Sequence, residues 1–550
     1  MTSTPELSWV KGAVEPPLLD ITLGRALDLA AERWGDADAV VSVAQGVRWT
    51  WRELALHADA MAAGLLALGL ERGDRIGIWA PNCAEWTLTQ FAAARVGLVL
   101  TTINPAYRAS ELEFTLNKVG MRAVVAAARF KTSDYPAMVE AADAPLPDYR
   151  IQIGGARRAG WIQFDDVPGA GCEADARRVR EIGASLECQD PINIQFTSGT
   201  TGSPKGATLS HRNILNNGWF VARAQRLGPG DRICAPVPLY HCFGMVMGNL
   251  AAVTCGAAVV YPSAGFDAEA TLAAIEKERC TALYGVPTMF IAALGHPDFD
   301  RFDLSSLRTG VMAGSPCPIE VMGQVVTRMH MSEVTIAYGM TETSPVSFQS
   351  AVDDPLERRV STIGRVQPHL EVKAVDAAGR TVARGIPGEL CTRGYAVMLG
   401  YWEDAERSAE VIDAEGWMHT GDVGVIDEQG YGNIVGRIKD MVIRGGENIY
   451  PREIEEFLYG HPKIADVQVV GVPDPRLGEE LCAWVRLVEG ESCEEEEVQA
   501  FCRGRIAHYK IPRYVRFVDE FPLTVSGKVQ KFVIRERMIA ELELAPEATA

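Results

Sequence analysis

Ten residues between two apolar runs constrain this chain more than any other stretch: Thr-Ser-Gly-Thr-Thr-Gly-Ser-Pro-Lys-Gly, Thr197–Gly206, framed by Ile192–Phe196 and Ala207–Ser210. Gly199, Gly202 and Gly206 permit backbone conformations that other residues avoid, so amides can approach a bulky anion. Thr197, Ser198, Thr200 and Thr201 add hydroxyl donors, and Lys205 adds a compact positive charge. Together they form a polyphosphate cradle. It is not the common P-loop: counted from Gly199, the second glycine falls on Pro204, and Gly206 stands where a magnesium-binding Ser or Thr belongs. Pro204 suits an extended or turn segment, so the reading is strand, turn, strand, with a helix opening near His211.

Length and charge set the frame. A chain of 550 residues exceeds one core, so two or more domains are expected. A net charge of −19 argues against nucleic-acid or anionic-membrane binding. The twelve cysteines contain no C-x-x-C pair, which points to reduced thiols in a cytoplasm and not to a disulfide frame or a zinc site. No signal h-region or bilayer-length apolar stretch is found.

The pattern along the chain is α/β. Helical periodicity marks Leu23–Trp34 and Trp51–Leu68, and Arg75–Trp79 reads as a buried strand. Further on, strands at Ala257–Tyr261, Ala282–Val286, Leu307–Met312 and Val334–Ala337 alternate with helices at Ala268–Arg279, Pro287–Leu294 and Ile319–Met329. That alternation predicts parallel sheets with ligands at the carboxyl ends of the strands. Residues 361–435 change to short alternating runs, the pattern of a small antiparallel barrel or sheet. Beyond Gly436-Arg-Ile-Lys-Asp440, a helix at Arg452–Tyr459 and strands at Val467–Val472 and Glu480–Leu487 predict a compact α+β unit. Ser492 reads as the cap of a helix opening with Glu494–Glu497.

Five motifs in order then carry a resemblance: Thr197–Gly206, Tyr338-Gly-Met-Thr-Glu342, Thr420-Gly-Asp422, Gly436–Asp440 with Glu447–Glu455, and Pro522-Leu-Thr-Val-Ser-Gly-Lys528. The chain resembles the adenylate-forming enzymes, the superfamily of acyl-CoA synthetases, adenylation domains and firefly luciferase, over nearly its whole length. The resemblance implies a large N-terminal domain over 1–436, with parallel and mixed sheets, helices and a barrel-like subdomain. A hinge at 437–441, a small mobile C-terminal domain at 442–540 and a tail at 541–550 would follow.

The same resemblance implies a reaction in which a carboxylate attacks the α-phosphorus of ATP to give acyl-AMP, with CoA as the second-step thiol and Mg²⁺ held by Glu342. Lys205 and the loop hydroxyls would hold the phosphates. Gly314, Ser315, Tyr338, Gly339, Thr341, Asp422 and Arg437 would surround the nucleotide, Asp422 taking the ribose hydroxyls. For Arg437 an interdomain ion pair is the alternative. Lys528 would be the catalytic cation, with His241 between the acyl site and the thiol tunnel, Lys439 at the hinge, and Gly445 and Gly446 along the CoA tunnel. Lys531, three residues past Lys528, replaces a common arginine and is assigned no role.

The acyl pocket would draw on Tyr240, Met245, Met312, Ala313 and Met340. These carry no charge to pair a substrate ammonium, which favours a hydrophobic monocarboxylate, a medium-chain or longer fatty acid. Aryl, branched or short thioether acids, and transfer to an acceptor other than CoA, stand as alternatives. The expected partners are the acid, ATP and CoA, with a homodimer allowed.

Overall fold

The computed structural model describes residues 6–197, 204–315, 317–445, 447–524 and 527–544. Among them, four sheets organise the chain. The first runs Gly400–Tyr401, Lys205–Ser210, Pro191–Thr197, Val99–Thr102, Arg75–Trp79, Ala123–Ala127, Tyr149–Ile153 and Ile162–Gln163. It is parallel from Pro191–Thr197 onward, and antiparallel where Lys205–Ser210 and Gly400–Tyr401 join its edge. The second places Glu333–Gly339, Thr309–Ala313, Ala282–Gly285 and Arg232–Cys234 side by side and parallel. Ala258–Tyr261 and Asp38–Ser42 continue it in the same direction. Their near-continuous apolar runs fit strands covered on both faces by helices.

Helix ends are written locally. Thr22 accepts from Arg25 N at 3.2 Å to open Leu23–Trp34, and Thr50 with Glu53 forms a capping box on Trp51–Ala67. Ser210 and Asn213 do the same for His211–Ala224, so the helix opens where the phosphate loop's return strand ends. One expected cap fails. The helix Glu495–Cys502 is capped at Glu494, and Ser492 lies outside it, because its three consecutive glutamates fill the first turn and themselves favour its positive end.

Residues 365–437 behave as sequence periodicity predicts, with an outside contribution. Leu370–Val375, Gly388–Gly394, Met418–Ile426 and Gly432–Arg437 pair antiparallel, and Trp9–Lys11 from the chain's start adds an edge strand. The pairing follows an open path, so the unit is a sheet. After the turn Ile438–Asp440, the chain enters a fourth sheet of Val442–Arg444, Glu447–Ile449, Gly478–Leu487, Ile464–Asp474 and Tyr514–Phe517, with its own core around Leu458, Val467, Leu481 and Val485.

One buried histidine links this frame to pH. His211 is fully buried, and its Nδ1 accepts from Leu23 N at 3.1 Å. Burial pushes its pKa down to about 4, so the folded state binds its proton less readily than the unfolded chain. That contribution is present above about pH 6.5 and is lost as pH falls towards 4, at a cost of order 3 kcal/mol. His211→Asn, which keeps an acceptor for Leu23 without a titrating ring, should remove that part of the acid loss in denaturant-unfolding curves taken between pH 7 and 4.5. An unchanged pH dependence in the variant would refute the assignment.

Candidate active site

The parallel strands of the second sheet end along one line, and their carboxyl ends supply most of the expected site residues. Glu333–Gly339 leads into Met340 and the turn Thr341–Thr343, Thr309–Ala313 into Gly314 and Ser315, and Ala282–Gly285 into Val286. Past Arg232–Cys234 come Val237, Pro238 and His241. Such an edge is where open α/β sheets bind ligands, since consecutive loops diverge there.

The phosphate loop approaches from the first sheet. Thr197 and Lys205 pair across the two strands and close its base. Ser198, Gly199, Thr200, Thr201 and Gly202 lie outside the described residues. Glu342 is 5% exposed, and its Oε1 accepts from Tyr401 Oη at 2.9 Å and from Thr197 Oγ1 at 3.3 Å. The Lys205 ammonium stands 5.0 Å from the centroid of the same Tyr401 ring. Tyr401 therefore ties the loop's lysine to the acidic turn. Sequence reading passed over it, because its only signal is tertiary: Gly400–Tyr401 pairs beside Ala207 in the loop's return strand. A buried carboxylate next to hydroxyl oxygens is the hard donor set that suits Mg²⁺.

A second corner forms around Asp422, which is 4% exposed. Leu390 alone separates Glu389 from Cys391, whereas Thr420, Gly421 and Asp422 separate their partners Val423 and His419. The resulting bulge takes Asp422 out of the pairing with Gly388–Gly394, while on the other side it stays opposite Arg437. Gly421 sits at φ +70°, a conformation open to glycine, and Thr420 Oγ1 donates to Leu390 O at 2.7 Å while accepting from Asp422 N. Tyr338 Oη donates to Asp422 Oδ2 at 2.7 Å, and Arg437 Nε donates to Oδ1 at 2.8 Å. Burial, then the Asp422 charge, drive the Tyr338 pKa up, so the phenol stays a donor. The Arg437 pair lies within one sheet, opposite Asp422 in register, so the interdomain alternative for this arginine is not what forms. Each Asp422 oxygen retains lone-pair capacity for a ribose hydroxyl.

Lys528 arrives from the C-terminal part. Its backbone N donates to Thr524 Oγ1 at 3.0 Å, Thr524 N donates to Lys528 O at 2.7 Å, and Gly527 at φ +80° makes the turn. Thr288 Oγ1 donates to Gly527 O at 3.4 Å, docking the turn on the large domain. Lys528 then lines a narrow cleft with Val237, Pro238, His241, Phe243, Val286 and Gly314. Burial, followed by the Arg437 charge, pulls the Lys528 pKa below the usual lysine range. Lys531 does have a partner: its ammonium lies 2.6 Å from buried Glu455, which also accepts from Val469 N. That anchor begins the helix Lys531–Glu541 three residues past Lys528.

His241 presents a neutral ring to the cleft. Its Nδ1 accepts from Phe243 N at 3.1 Å, which places the ring proton on Nε2, and burial with the Lys528 charge pushes its pKa down to about 3. Cys242 Sγ and Thr341 Oγ1 lie 3.9 Å apart beside it. Lys439 is exposed in the turn Ile438–Asp440. Gly445, at φ +61°, turns the hairpin between Val442–Arg444 and Glu447–Ile449, and Gly446 lies outside the described residues.

The expected acyl pocket is divided. Ala313 and Met245 both belong to the first core, whereas Met312 belongs to the second, with Met322 and Ile336. Neighbours on a strand point to opposite faces, so one pocket cannot take both side chains. Met245 Sδ is also in contact with Gln195 Nε2 at 3.0 Å. Tyr240 and Met340 are half-buried.

Family comparison accords with this geometry. The AMP-binding enzyme model matches residues 27–402, and the AMP-binding enzyme C-terminal domain model matches residues 453–528. A Danio rerio protein named medium-chain acyl-CoA ligase ACSF2, mitochondrial, is 48% identical over 98% of this chain and 91% of its own length. The Bacillus subtilis (strain 168) protein YngI is 47% identical over 96% of this chain and 99% of its own. Among solved structures, the anthranilate CoA ligase AuaEII in complex with anthranoyl-AMP superposes with a TM-score of 0.86 at 25% identity, covering 96% of this chain and 99% of its own.

Proposed function

Since this chain belongs to the AMP-binding enzyme family, we propose that it is an AMP-forming acid–CoA ligase whose preferred acid is a medium-chain fatty acid. The near-full-length similarity to a medium-chain acyl-CoA ligase carries the substrate class. The cleft supports it, since its polar side chains are Lys528 and His241 and the rest of its lining is apolar.

In the first step a substrate carboxylate oxygen bonds to the α-phosphorus of ATP, and the bond to the β-phosphate bridging oxygen breaks to release pyrophosphate. Lys528 would bridge the two anions and stabilise the charge that builds as they meet. Lys205 and Thr197 would hold the departing phosphates, Thr341 the α-phosphate, and Asp422 the ribose. Tyr338, tied to Asp422, would carry the adenine on its ring face, beside Gly314, Ser315 and Gly339. Glu342 would hold Mg²⁺, which neutralises phosphate charge when bound. In the second step the CoA sulfur attacks the acyl carbon and AMP leaves with the electron pair. His241 would orient the acyl group through Nε2–H, and the thiol proton passes to solvent. We place the hinge at 437–441 with Lys439 at its centre, and the pantetheine path beside Gly445 and Gly446.

Among the described residues no helix is long and apolar enough to cross a membrane. The twelve cysteines are unpaired, as a reducing compartment keeps them, and the proposal places the enzyme in the cytoplasm on that ground.

Nucleotide product analysis with Mg-ATP and a graded panel of straight-chain acids, plus an aryl acid, tests the reading. AMP and pyrophosphate should form only with acid, and turnover should require CoA and peak at medium chain length. ADP as product, or a preference for the aryl acid, would overturn the reaction or the substrate respectively.

A further inference from the structure

Beneath the Asp422 bulge lies a cluster that the ligase reaction does not use. Glu389 and Cys391 stand two apart on Gly388–Gly394 and share a face, and His419 stands opposite Cys391 on the next strand. Two residues apart on one strand and one across from them converge on a single point above a sheet. His419 Nδ1 lies 3.5 Å from Cys391 Sγ and 2.9 Å from Glu389 Oε2. A tetrahedral zinc ion, at about 2.3 Å from sulfur and about 2.0–2.2 Å from nitrogen or oxygen, spaces its ligand atoms by roughly 3.3–3.6 Å. The His419–Cys391 edge already has that length, the His419–Glu389 edge needs a shift of a few tenths of an ångström, and the Glu389–Cys391 edge lies within 4.8 Å.

The groups behind these ligands fit as well. Glu389 Oε1 accepts from Gly421 N at 3.0 Å, which leaves Oε2 turned towards His419. His419 Nε2 lies 3.8 Å from Asp413 Oδ2, so a shift of under an ångström would bring that carboxylate into the position from which an outer group orients a metal-bound imidazole. His419, Glu389 and Asp413 side chains keep 33%, 21% and 34% of their surface exposed, which opens a path from solvent. Burial pushes the Cys391 thiol up to about 12; the Lys373 ammonium, opposite Cys391 and 4.4 Å from the Trp417 ring centroid, opposes that shift, and a bound cation displaces the proton. His461, Cys493 and Glu497 also cluster, but Lys463 already occupies their carboxylate at 2.8 Å.

We propose that Glu389, Cys391 and His419 form a binding site for zinc or a similar borderline-soft divalent ion, which clips the two strands together under the bulge that carries Asp422. Binding forms a metal–sulfur bond, releases the Cys391 proton to solvent and leaves the fourth position to water. The site stands on the sheet geometry and not on the ligase reading.

The full-length protein, stripped with a chelator, is titrated with Co²⁺ and then Zn²⁺. One equivalent of Co²⁺ should raise a thiolate-to-cobalt charge-transfer band, and Zn²⁺ should displace it and raise Tm. Cys391→Ser should lose the band and the Tm rise, and His419→Gln should weaken binding at least about tenfold. Circular dichroism of both variants confirms that they fold. No charge-transfer band in the unaltered protein, or a band that survives Cys391→Ser and vanishes in Cys493→Ser, would overturn the proposal.

Discussion

Replacing Lys528 with alanine should abolish most acyl-AMP formation, by of order a thousandfold, while thiolation of supplied acyl-AMP stays within a few-fold of normal. The size follows from the site: Lys528 is the one ammonium of the C-terminal part that lines the described cleft, held there by the Gly527 turn against Thr288. A preorganised charge in a water-poor cleft is worth more than the same charge in solvent, because no reorganisation accompanies the reaction. The half-reactions separate the readings. Pyrophosphate exchange measures the first step, and thioester formation from synthetic acyl-AMP measures the second. Equal loss in both would mean that the lysine holds the domain together and has no particular role in the first step. Lys531→Met is the informative companion, since it strips the partner from buried Glu455 and frees the start of the helix behind the same turn. If the turn's placement is what matters, it should also slow the first step more than the second.

The second large effect belongs to Asp422. Asp422→Asn should lower kcat/KM for ATP about a hundredfold or more, mostly through KM. The amide loses one acceptor and the charge, and each charge-assisted bond is worth about 1.5–3 kcal/mol. It also leaves the Arg437 guanidinium without its ion pair and removes an acceptor from Tyr338. ATP titration followed by fluorescence or calorimetry checks it, and an unchanged ATP affinity would show that the ribose lies elsewhere. Arg437→Lys, which keeps charge but not the guanidinium geometry, should cost far less.

These residues show how far sequence reached. The strands on either side of the phosphate loop and the helix after them were legible because the apolar run before the loop, Pro204 and the Ser210–Asn213 cap act over a few residues. Leu23–Trp34, Pro287–Leu294 and Leu370–Val375 were equally legible, since their hydrophobic period and end signals are local. The Ser492 cap misled, as a favoured residue type lost to a run of carboxylates two positions on. The acyl pocket was the weakest reading, because consecutive Met312 and Ala313 looked like one lining until the strand sent them to different cores.

What the chain determined by itself is what short-range chemistry carries, the α/β alternation and the strands that flank the phosphate loop, while Glu342, Asp422 and Lys528 stood out only through the motifs of the family resemblance. What only the tertiary structure decided is which of these meet and through whom. Tyr401 joins Lys205 to Glu342 across some two hundred residues of chain, and Tyr338 and Arg437 converge on Asp422. Glu455 holds the start of the helix Lys531–Glu541, just past Lys528, from another element. Such contacts depend on the order in which strands pair and on the bulge that turns one carboxylate outward, and neither is encoded in the spacing of the residues that use it.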